Sequence, residues 1–509
     1  MSDVAATRRS IAGSVLPSSL YVLGGQAVAA LVSFCATPAI VRSLGPAGYG
    51  ILAFVNVMLA YLAWADLGMS VSSTRLASQV HREDDGVDEA KVIWTALAIA
   101  LFGTVPASLV VFGASGWIAR NVLHLTGAAA GHTAFALRLA CVALLARSAV
   151  TVLNTPQLVR MRFDLNSAVT SGGSVLQTLL ILAAALLTRE AEWAVVAIVI
   201  AASMSAIVNY LMSRRLLPQL KNIAFDSAIA GRLWRFGRSL LISAIAAAFL
   251  TSADKLLLPR FASVEELGHY SIAFTFAMLF TLFPSSLSQA LLPAFSRLAG
   301  KEGATDDLRS MYVRAARLNL LCAIPALVTM LAFSPLVLRL WVGDLAAPSI
   351  APLNILLVGV FFNVLAVVPQ AALLSVGESA YIARLHAAEV LPYVVGVAVL
   401  VSRGGAAGAA AAWAARVTID SAFLFLGAQK RLKKREPIID RHSALVLSVL
   451  LIAVAVAVLV LHADPRIACA ASLLIYGPLV WFQVLYGMER ESIRLLVRRL
   501  RETVSVRNA

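Results

Sequence analysis

Residues 92–113 read VIWTALAIALFGTVPASLVVFG and contain no charged side chain. About 20 apolar residues suffice for a helix to cross the roughly 30 Å hydrocarbon core of a bilayer. Lipid cannot satisfy backbone N–H and C=O groups, whereas a helix pairs them within one segment. This stretch therefore predicts a membrane-spanning helix, and the remaining sequence can be tested against the same pattern.

The same apolar pattern recurs along all 509 residues. Of the whole chain, 60% is hydrophobic and 14% is charged, whereas soluble domains carry about 25% charged residues. We therefore expect an all-α, polytopic integral membrane protein. Its fourteen predicted spans are about 19–41, 51–70, 92–113, 134–153, 168–188, 193–212, 239–258, 271–294, 316–338, 351–374, 382–401, 405–427, 443–462 and 467–487.

The basic residues predict the orientation of these spans. With the N-terminus in the cytoplasm, 31 of the 42 Lys and Arg residues fall on the inner side, seven lie in outer loops and four lie within spans. Cations are retained on the cytoplasmic side of membrane proteins, so both termini are predicted to be cytoplasmic. This distribution explains the formal charge of +15 without a nucleic-acid partner. The four scattered cysteines form no CxxC pair, and no disulfide, metal or cofactor is predicted.

A short internal similarity indicates two related halves. Residues 47–54 read AGYGILAF and residues 267–274 read LGHYSIAF, which aligns Gly48 with Gly268 and Phe54 with Phe274. Six spans separate the two segments, so both have the same membrane orientation, as in transporters built from parallel repeats. A chance match is the alternative, because the segment is short. The predicted divisions are an N-terminal six-helix bundle at 1–212, a cytoplasmic linker at 213–238, a C-terminal six-helix bundle at 239–427, a basic loop with spans 13 and 14 at 428–487, and an amphipathic tail at 488–509.

Four motifs follow one another along the chain. They are RSLGPAGYG at 42–50, DLG at 66–68, SADKL at 252–256 with Gly268 and Tyr270 beyond it, and LWVG at 340–343. In this order they resemble the Wzx-type polysaccharide-lipid flippases of the multidrug/oligosaccharidyl-lipid/polysaccharide exporter superfamily. The residues that carry the resemblance most directly are Gly45, Pro46, Gly48, Tyr49, Gly50, Gly268 and Tyr270.

The resemblance implies a bacterial inner-membrane flippase with two bundles around a cavity that opens alternately to each side. It implies an undecaprenyl-pyrophosphate-linked oligosaccharide as substrate, surrounding membrane lipid, and a polysaccharide polymerase or export machinery as a further candidate partner. Lipid II flippases of the same superfamily carry arginine in span 1, whereas residues 19–41 here are uncharged. Drug exporters of the superfamily usually have twelve spans.

Charged residues within the spans are the candidate site residues. A charge at a helix centre costs roughly 2.5–3.5 kcal/mol on insertion scales, so it is paired or faces water. Arg138 and Arg147 are nine residues apart, which places them on opposite sides of a straight helix, and Arg147 is the deeper of the two. The candidate cavity cations are Arg147, Arg416, Lys255 and Arg138, and the candidate ion-pairing or coupling acids are Glu389, Asp420 and Asp254.

Each candidate has a structural alternative. Arg147 could donate a hydrogen bond to a neighbouring helix, and Lys255 could extend to the outer interface. Arg416 and Asp420 share a helix face, which fits either a self-contained ion pair or an arginine held in a cavity for an anion. Glu389 could bind a coupling proton or sodium ion, or pair with His386.

Three other classes of function compete with a flippase. A membrane enzyme of glycan polymerisation would need acidic or basic groups in a long outer loop, and the predicted outer loops are short. A cation-coupled antiporter for drugs or small solutes is compatible with the spans and differs in its binding pocket. A structural scaffold would need neither intramembrane arginines nor a repeat.

Overall fold

The computed structural model describes residues 2–81, 86–281, 291–292, 294–299, 305–432, 464–484 and 490. Within these ranges the regular structure is helical and contains no strand, which confirms the all-α class. The α-helices are α1 (Ser2–Tyr61), α2 (Met69–His81), α3 (Gly86–Trp117), α4 (Gly127–Leu153), α5 (Thr155–Val159), α6 (Phe163–Thr188), α7 (Ala191–Leu216), α8 (Ser227–Phe261), α9 (Val264–Met278), α10 (Thr305–Val342), α11 (Ala347–Ser375), α12 (Ser379–Arg431) and α13 (Pro465–Leu479).

Seven helical segments of the described chain are long and apolar enough to cross a membrane. Three of them, Gly24–Asp66, Asp306–Ser375 and Ser379–Arg431, contain 43, 70 and 53 residues. At 1.5 Å per residue a helical path of these lengths measures about 65–105 Å, against a hydrocarbon core of about 30 Å. Each of the three therefore holds two of the predicted spans, as the sequence pattern requires.

Glycines mark the points at which two predicted spans join within one long helix. Gly45 in α1 has φ 70° and ψ 172°, and Gly405 in α12 has φ 51° and ψ −129°. Both lie in the left-handed half of backbone space, which glycine enters at little cost. At the second join, Glu266 Oε2 accepts a hydrogen bond from the Ala406 amide at 2.7 Å. These joins place the turns between spans 1 and 2 and between spans 11 and 12.

Several predicted features lie wholly or partly outside the described residues. The described residues do not include span 13 or almost all of the amphipathic tail at 488–509. They also leave out part of the basic loop before span 13 and most of the second half of span 8. These predictions therefore stay predictions.

Packing divides the chain into two compact units. One contains Met1–Ala277, Arg339–Leu356 and Ala383–Arg416, and the other contains Met278–Leu338, Leu357–Ile382 and Val417–Ala509. These units follow contacts in this structure rather than the internal repeat, so the two six-helix halves remain a prediction. We call them the first and second unit and describe each by itself.

The cores of the two units combine apolar packing with hydrogen bonds between helices. In the first unit, a buried cluster joins α2, α3 and α4 to the start of α8 through Leu76, Ile93, Leu153 and Leu233. In the second unit, the Tyr476 hydroxyl donates to the Leu321 carbonyl at 2.7 Å. Buried polar groups need such partners, because lipid and apolar core supply none.

Glu89 corrects one sequence expectation. The five acidic residues between positions 83 and 89 predict a solvated loop from their charge alone, yet the Glu89 side chain is 0% exposed. Arg160 donates to both of its carboxylate oxygens, at 2.6 Å and 3.1 Å, and His81 Nδ1 lies 3.4 Å away. Local charge density could not reveal this pairing, because Arg160 is 71 residues away in the chain.

Glu89→Gln should destabilise the protein. Removing one partner of a buried ion pair costs about 3–5 kcal/mol, because the other charge is left buried without compensation. We expect a clearly lower melting temperature in detergent for Glu89→Gln. Asp164→Asn is the matched control, because it breaks the exposed Arg162–Asp164 pair nearby and should leave the melting temperature unchanged. Equal melting temperatures for both variants and the parent would contradict a structural role of Glu89.

Candidate functional site

A cavity of about 1010 Å³ opens within the first unit between α1, α3, α4, α6, α7 and α8. Its lining is mainly apolar and also carries many Ser and Thr hydroxyl groups and the amide of Gln177. Such groups can bind a polar ligand that lipid cannot dissolve. The polar residues of the lining are Ser33, Asp66, Ser70, Thr104, Arg147, Ser148, Thr151, Thr170, Ser174, Gln177, Thr178, Ser205 and Thr251.

Arg147 supplies the positive charge of this cavity. Its guanidinium donates a hydrogen bond to Gln177 Oε1 at 3.0 Å. Within the described part of the chain it takes part in no ion pair. A cation that has an amide but no carboxylate as its partner keeps its capacity to attract an anion.

Asp66 is the acidic residue of the lining, and it is not among the site residues predicted from the sequence. Its Oδ1 accepts the Gly68 amide at 2.8 Å, and this turn carries left-handed φ values of 57° at Leu67 and 73° at Gly68. The DLG motif thus ends the second predicted span with a tight turn and holds a carboxylate at the cavity wall.

Arg138 lies on α4 but in a different place. It lines a separate cavity of about 550 Å³ together with Arg120, and its Nε donates to Ser115 Oγ at 3.0 Å. The two arginines of α4 therefore line different cavities, because a separation of nine residues places them on opposite sides of the helix.

Four further charges of the first unit form what we call the buried charge cluster: Asp254, Lys255, Glu389 and Arg416. Lys255 Nζ lies 3.4 Å from Asp254 Oδ2, and Arg416 Nη1 lies 3.5 Å from Glu389 Oε2. Asp254 is 0% exposed and the other three side chains are 9–14% exposed. Two acids and two bases make the cluster formally neutral, which lowers the cost of burying it.

Aromatic side chains enclose the buried charge cluster. Tyr270 donates its hydroxyl hydrogen to Asp254 Oδ2. The Lys255 ammonium lies 3.6 Å from the centre of the Phe274 ring, and the Arg416 guanidinium lies 5.3 Å from the centre of the Tyr393 ring. Cation–π contacts of this kind stabilise a desolvated cation. Asp254 Oδ1 and Arg416 Nε have no hydrogen-bond partner among the described residues. These atoms are an acceptor and a donor that can each form a further hydrogen bond.

The Glu389–Arg416 pair was not expected from the sequence. The two residues are 27 positions apart on α12 and lie on either side of the join at Gly405. The candidate partners predicted from the sequence are His386 for Glu389 and Asp420 for Arg416. Helical spacing suggests only neighbours three or four residues away, whereas here a turn brings two predicted spans together.

The two related glycine motifs contact each other, and we call this contact the motif junction. A Cβ atom on Gly50 would lie 2.0 Å from the Val264 carbonyl oxygen, and one on Gly268 would lie 2.0 Å from the Pro46 carbonyl oxygen. Only glycine permits backbones to approach this closely. Tyr49 lies near Thr37 and Thr275 at the same place.

The LWVG motif reaches the first motif as well. The Trp341 indole stacks on Phe34 with ring centres 4.7 Å apart, and its Nε1 donates to the Phe34 carbonyl at 3.1 Å. Arg42 donates to the Trp341 carbonyl at 3.1 Å. The motif at 42–50 thus packs both against the segment around Gly268 and against the motif at 340–343, within the first unit.

Two side-chain amides within predicted spans, those of Gln177 and Asn209, lie in different surroundings. Gln177 lines the large cavity, whereas Asn209 is buried between helices. Gln157 Nε2 donates to Asn209 Oδ1 at 2.7 Å, and Asn209 Nδ2 donates to the Val150 carbonyl at 2.9 Å. No group of three or more His, Cys, Asp or Glu side chains within the described chain is arranged to hold a metal ion.

Comparison with known proteins connects this architecture to a family. A sequence profile of the family described as polysaccharide biosynthesis protein matches residues 39–351. A relative from Shigella flexneri named "Putative O-antigen transporter" is 25% identical over 420 residues, which cover 81% of this chain and 97% of the relative.

Solved structures show the same fold. An inward closed conformation of the lipid II flippase MurJ superposes with a TM-score of 0.69 at 11% identity, covering 90% of this chain and 98% of that one. An inward-facing multidrug resistance MATE family transporter of the MOP superfamily superposes with a TM-score of 0.65 at 15% identity, covering 79% of this chain and 94% of that one. At these identities the likeness establishes the fold.

Proposed function

The chain belongs to the polysaccharide biosynthesis protein family, and from that premise we propose that it is a flippase for a lipid-linked glycan. In this proposal it moves an undecaprenyl-pyrophosphate-linked oligosaccharide from the cytoplasmic to the outer leaflet of the bacterial inner membrane by alternating access. The named relatives are transporters and a flippase, which supports a membrane transporter rather than an enzyme.

The observation that carries the proposal is the cavity around Arg147. A sugar head group needs hydroxyl and amide partners in place of water, and the cavity lining provides Ser, Thr and Gln side chains. A pyrophosphate needs a cation, and the arginine fork can donate two hydrogen bonds to phosphate oxygens at once. Arg147 is therefore proposed to bind the anionic end of the substrate while the hydroxyl groups contact its sugars.

Arg416 has a different role in this proposal. Its guanidinium is paired with Glu389, and it is not among the residues that line the large cavity in the described chain. We propose that the buried charge cluster couples transport to a proton or cation, because binding or loss of one positive charge changes the balance among four buried charges.

Glu389→Gln tests this coupling. The variant keeps the size of the side chain but removes the carboxylate that faces Arg416, so gradient-driven transport should fall at least tenfold while the protein stays in the membrane. Transport is compared with and without an imposed proton or sodium gradient. Asp344→Asn, which changes an acid of the described chain outside the cluster, is the control and should respond to the gradient as the parent does. A Glu389→Gln variant that keeps the full gradient response would remove Glu389 from coupling.

A small-solute exporter is the alternative function, because a solved structure with the same fold is a multidrug resistance transporter. Deleting the gene distinguishes the two. A flippase deletion should remove one surface or secreted glycan and cause lipid-linked precursor to accumulate on the cytoplasmic side. Unchanged glycans together with new drug sensitivity, in a strain without a redundant exporter, would favour the small-solute exporter.

A further inference from the structure

A smaller cavity of about 280 Å³ lies in the first unit between α2 and the start of α8. It is separate in its lining from the cavity around Arg147. Three arginines, Arg75, Arg232 and Arg235, line it together with Gln79 and Phe236. The distribution of Lys and Arg along the chain predicts that this end of both helices is cytoplasmic.

The two walls of this cavity are fixed to each other. Leu233 is buried in the core cluster that includes Leu76 of α2. A Cβ on Gly237 would lie 2.7 Å from the Leu67 carbonyl oxygen, so the backbones are in close contact. Asp226 caps α8 by accepting the Ala228 amide at 2.8 Å. Residues 227–238, predicted as part of a linker, are thus a packed helix that presents its arginines in a defined place.

Among the described residues, no acidic side chain compensates the charge of this cavity. No acidic side chain lines it, and within the described chain none of the three arginines takes part in an ion pair. The Arg75 guanidinium lies 4.2 Å from the centre of the Phe236 ring, which limits its freedom. Membrane topology requires cations on this side, but it does not require three of them to converge on one cavity.

We propose that Arg75, Arg232 and Arg235 form a binding site for a lipid-borne phosphate or pyrophosphate at the cytoplasmic end of the protein. Arginine is the side chain best matched to phosphate oxygens, because its planar fork donates paired hydrogen bonds. The cavity is large enough for a phosphate head group and too small for an oligosaccharide. The inference rests on the proposed function in one respect: the pyrophosphate of the substrate is one source of this group, and an anionic phospholipid is the other.

Binding measurements on the full-length protein in phosphatidylcholine nanodiscs test this site. The probes are farnesyl pyrophosphate and dihexanoyl phosphatidylglycerol, and both are titrated in an Arg147→Ala background so that the large cavity does not contribute its proposed contact. The variant is Arg75→Gln/Arg232→Gln/Arg235→Gln. The matched control, Arg214→Gln/Arg215→Gln/Lys221→Gln, removes three exposed cations of the same region that do not line the cavity.

The cavity variant should bind at least one of the two probes at least tenfold more weakly than its parent, and the control should stay within twofold for both. Weakening for farnesyl pyrophosphate alone identifies the substrate head group as the source, and weakening for phosphatidylglycerol, alone or as well, identifies a phospholipid. Cavity and control variants that weaken alike, or a cavity variant within twofold for both probes, would overturn the site. If the triple variant is not monodisperse, the three single Arg→Gln variants replace it, each expected to bind about threefold more weakly. The measurement involves no transport, so its failure leaves the flippase proposal intact.

Discussion

Arg147→Ala should reduce export of the glycan by about ten- to a hundredfold. In the proposed cycle the pyrophosphate loses its hydration on entering the cavity, and Arg147 is the cation of the cavity lining. A hydrogen-bonded pair between ionised groups contributes about 1.5–3 kcal/mol, and each 1.4 kcal/mol corresponds to a factor of about ten. The measurements are the amount of surface or secreted glycan and the amount of lipid-linked precursor that accumulates in the cell.

The control for this variant is another arginine of the same helix. Arg138→Ala removes a cation that lines a different cavity. Export by this variant should fall by no more than about a third from the level of the parent. Arg147→Lys should recover part of the activity, because it keeps the charge and loses the planar fork. Normal export by Arg147→Ala at normal protein level, or an equal loss for Arg138→Ala, would contradict the role of the large cavity.

Gly268→Val should disrupt the motif junction and reduce export at least tenfold. Its Cβ would lie 2.0 Å from the Pro46 carbonyl oxygen, well inside van der Waals contact, so Pro46 and its neighbours cannot keep their positions. Overpacking of this kind costs about 1–3 kcal/mol. We therefore expect a lower melting temperature, because the two motifs can no longer pack closely. We expect weaker export as well, because the proposed transport cycle would no longer pass through this packed conformation.

Gly396→Ala is the matched control for the junction. Gly396 lies in α12 with nothing within 4 Å of an added Cβ atom, so the change should leave export and melting temperature as they are. A Gly268→Val variant with the export and melting temperature of the parent would show that this close approach is not required.

The sequence predicts the fold well because crossing a membrane imposes a local rule. About 20 apolar residues in a row are visible without any knowledge of their neighbours, and the helices around residues 92–113 and 351–374 follow from that rule. Motif order along the chain also suggested the family. The join at Gly45 could be expected from the glycine-rich RSLGPAGYG stretch, although its dihedral angles could not.

Pairing between helices was much less predictable. Glu89 and Arg160 meet across 71 residues, and whether a charge at the end of a helix is solvated or buried depends on which helix packs beside it. The internal repeat aligns Gly48 with Gly268. In the structure, however, the glycine of the first motif that packs closely against the second motif is Gly50, whose backbone approaches Val264. Sequence similarity between halves indicates equivalent positions, whereas contact depends on how the two halves pack.

Arg147 and Arg416 show the same limit within the candidate site. Both are arginines within predicted spans, and hydropathy treats them alike. The structure gives Arg147 an amide partner at the wall of a large cavity and gives Arg416 a carboxylate partner. Partner chemistry of this kind is decided by the rotation of each helix, which a single sequence does not specify.

The central claim is that the protein itself moves a lipid-linked glycan across a bilayer. The most direct test reconstitutes the purified protein in liposomes that carry a fluorescent lipid-linked oligosaccharide in the inner leaflet, and follows its exposure to a membrane-impermeant quencher added outside. Exposure should be fast with the parent protein and with Arg138→Ala, and should fall to the rate of protein-free liposomes with Arg147→Ala. A parent protein that exposes the oligosaccharide no faster than protein-free liposomes, with or without an ion gradient, would contradict the flippase function.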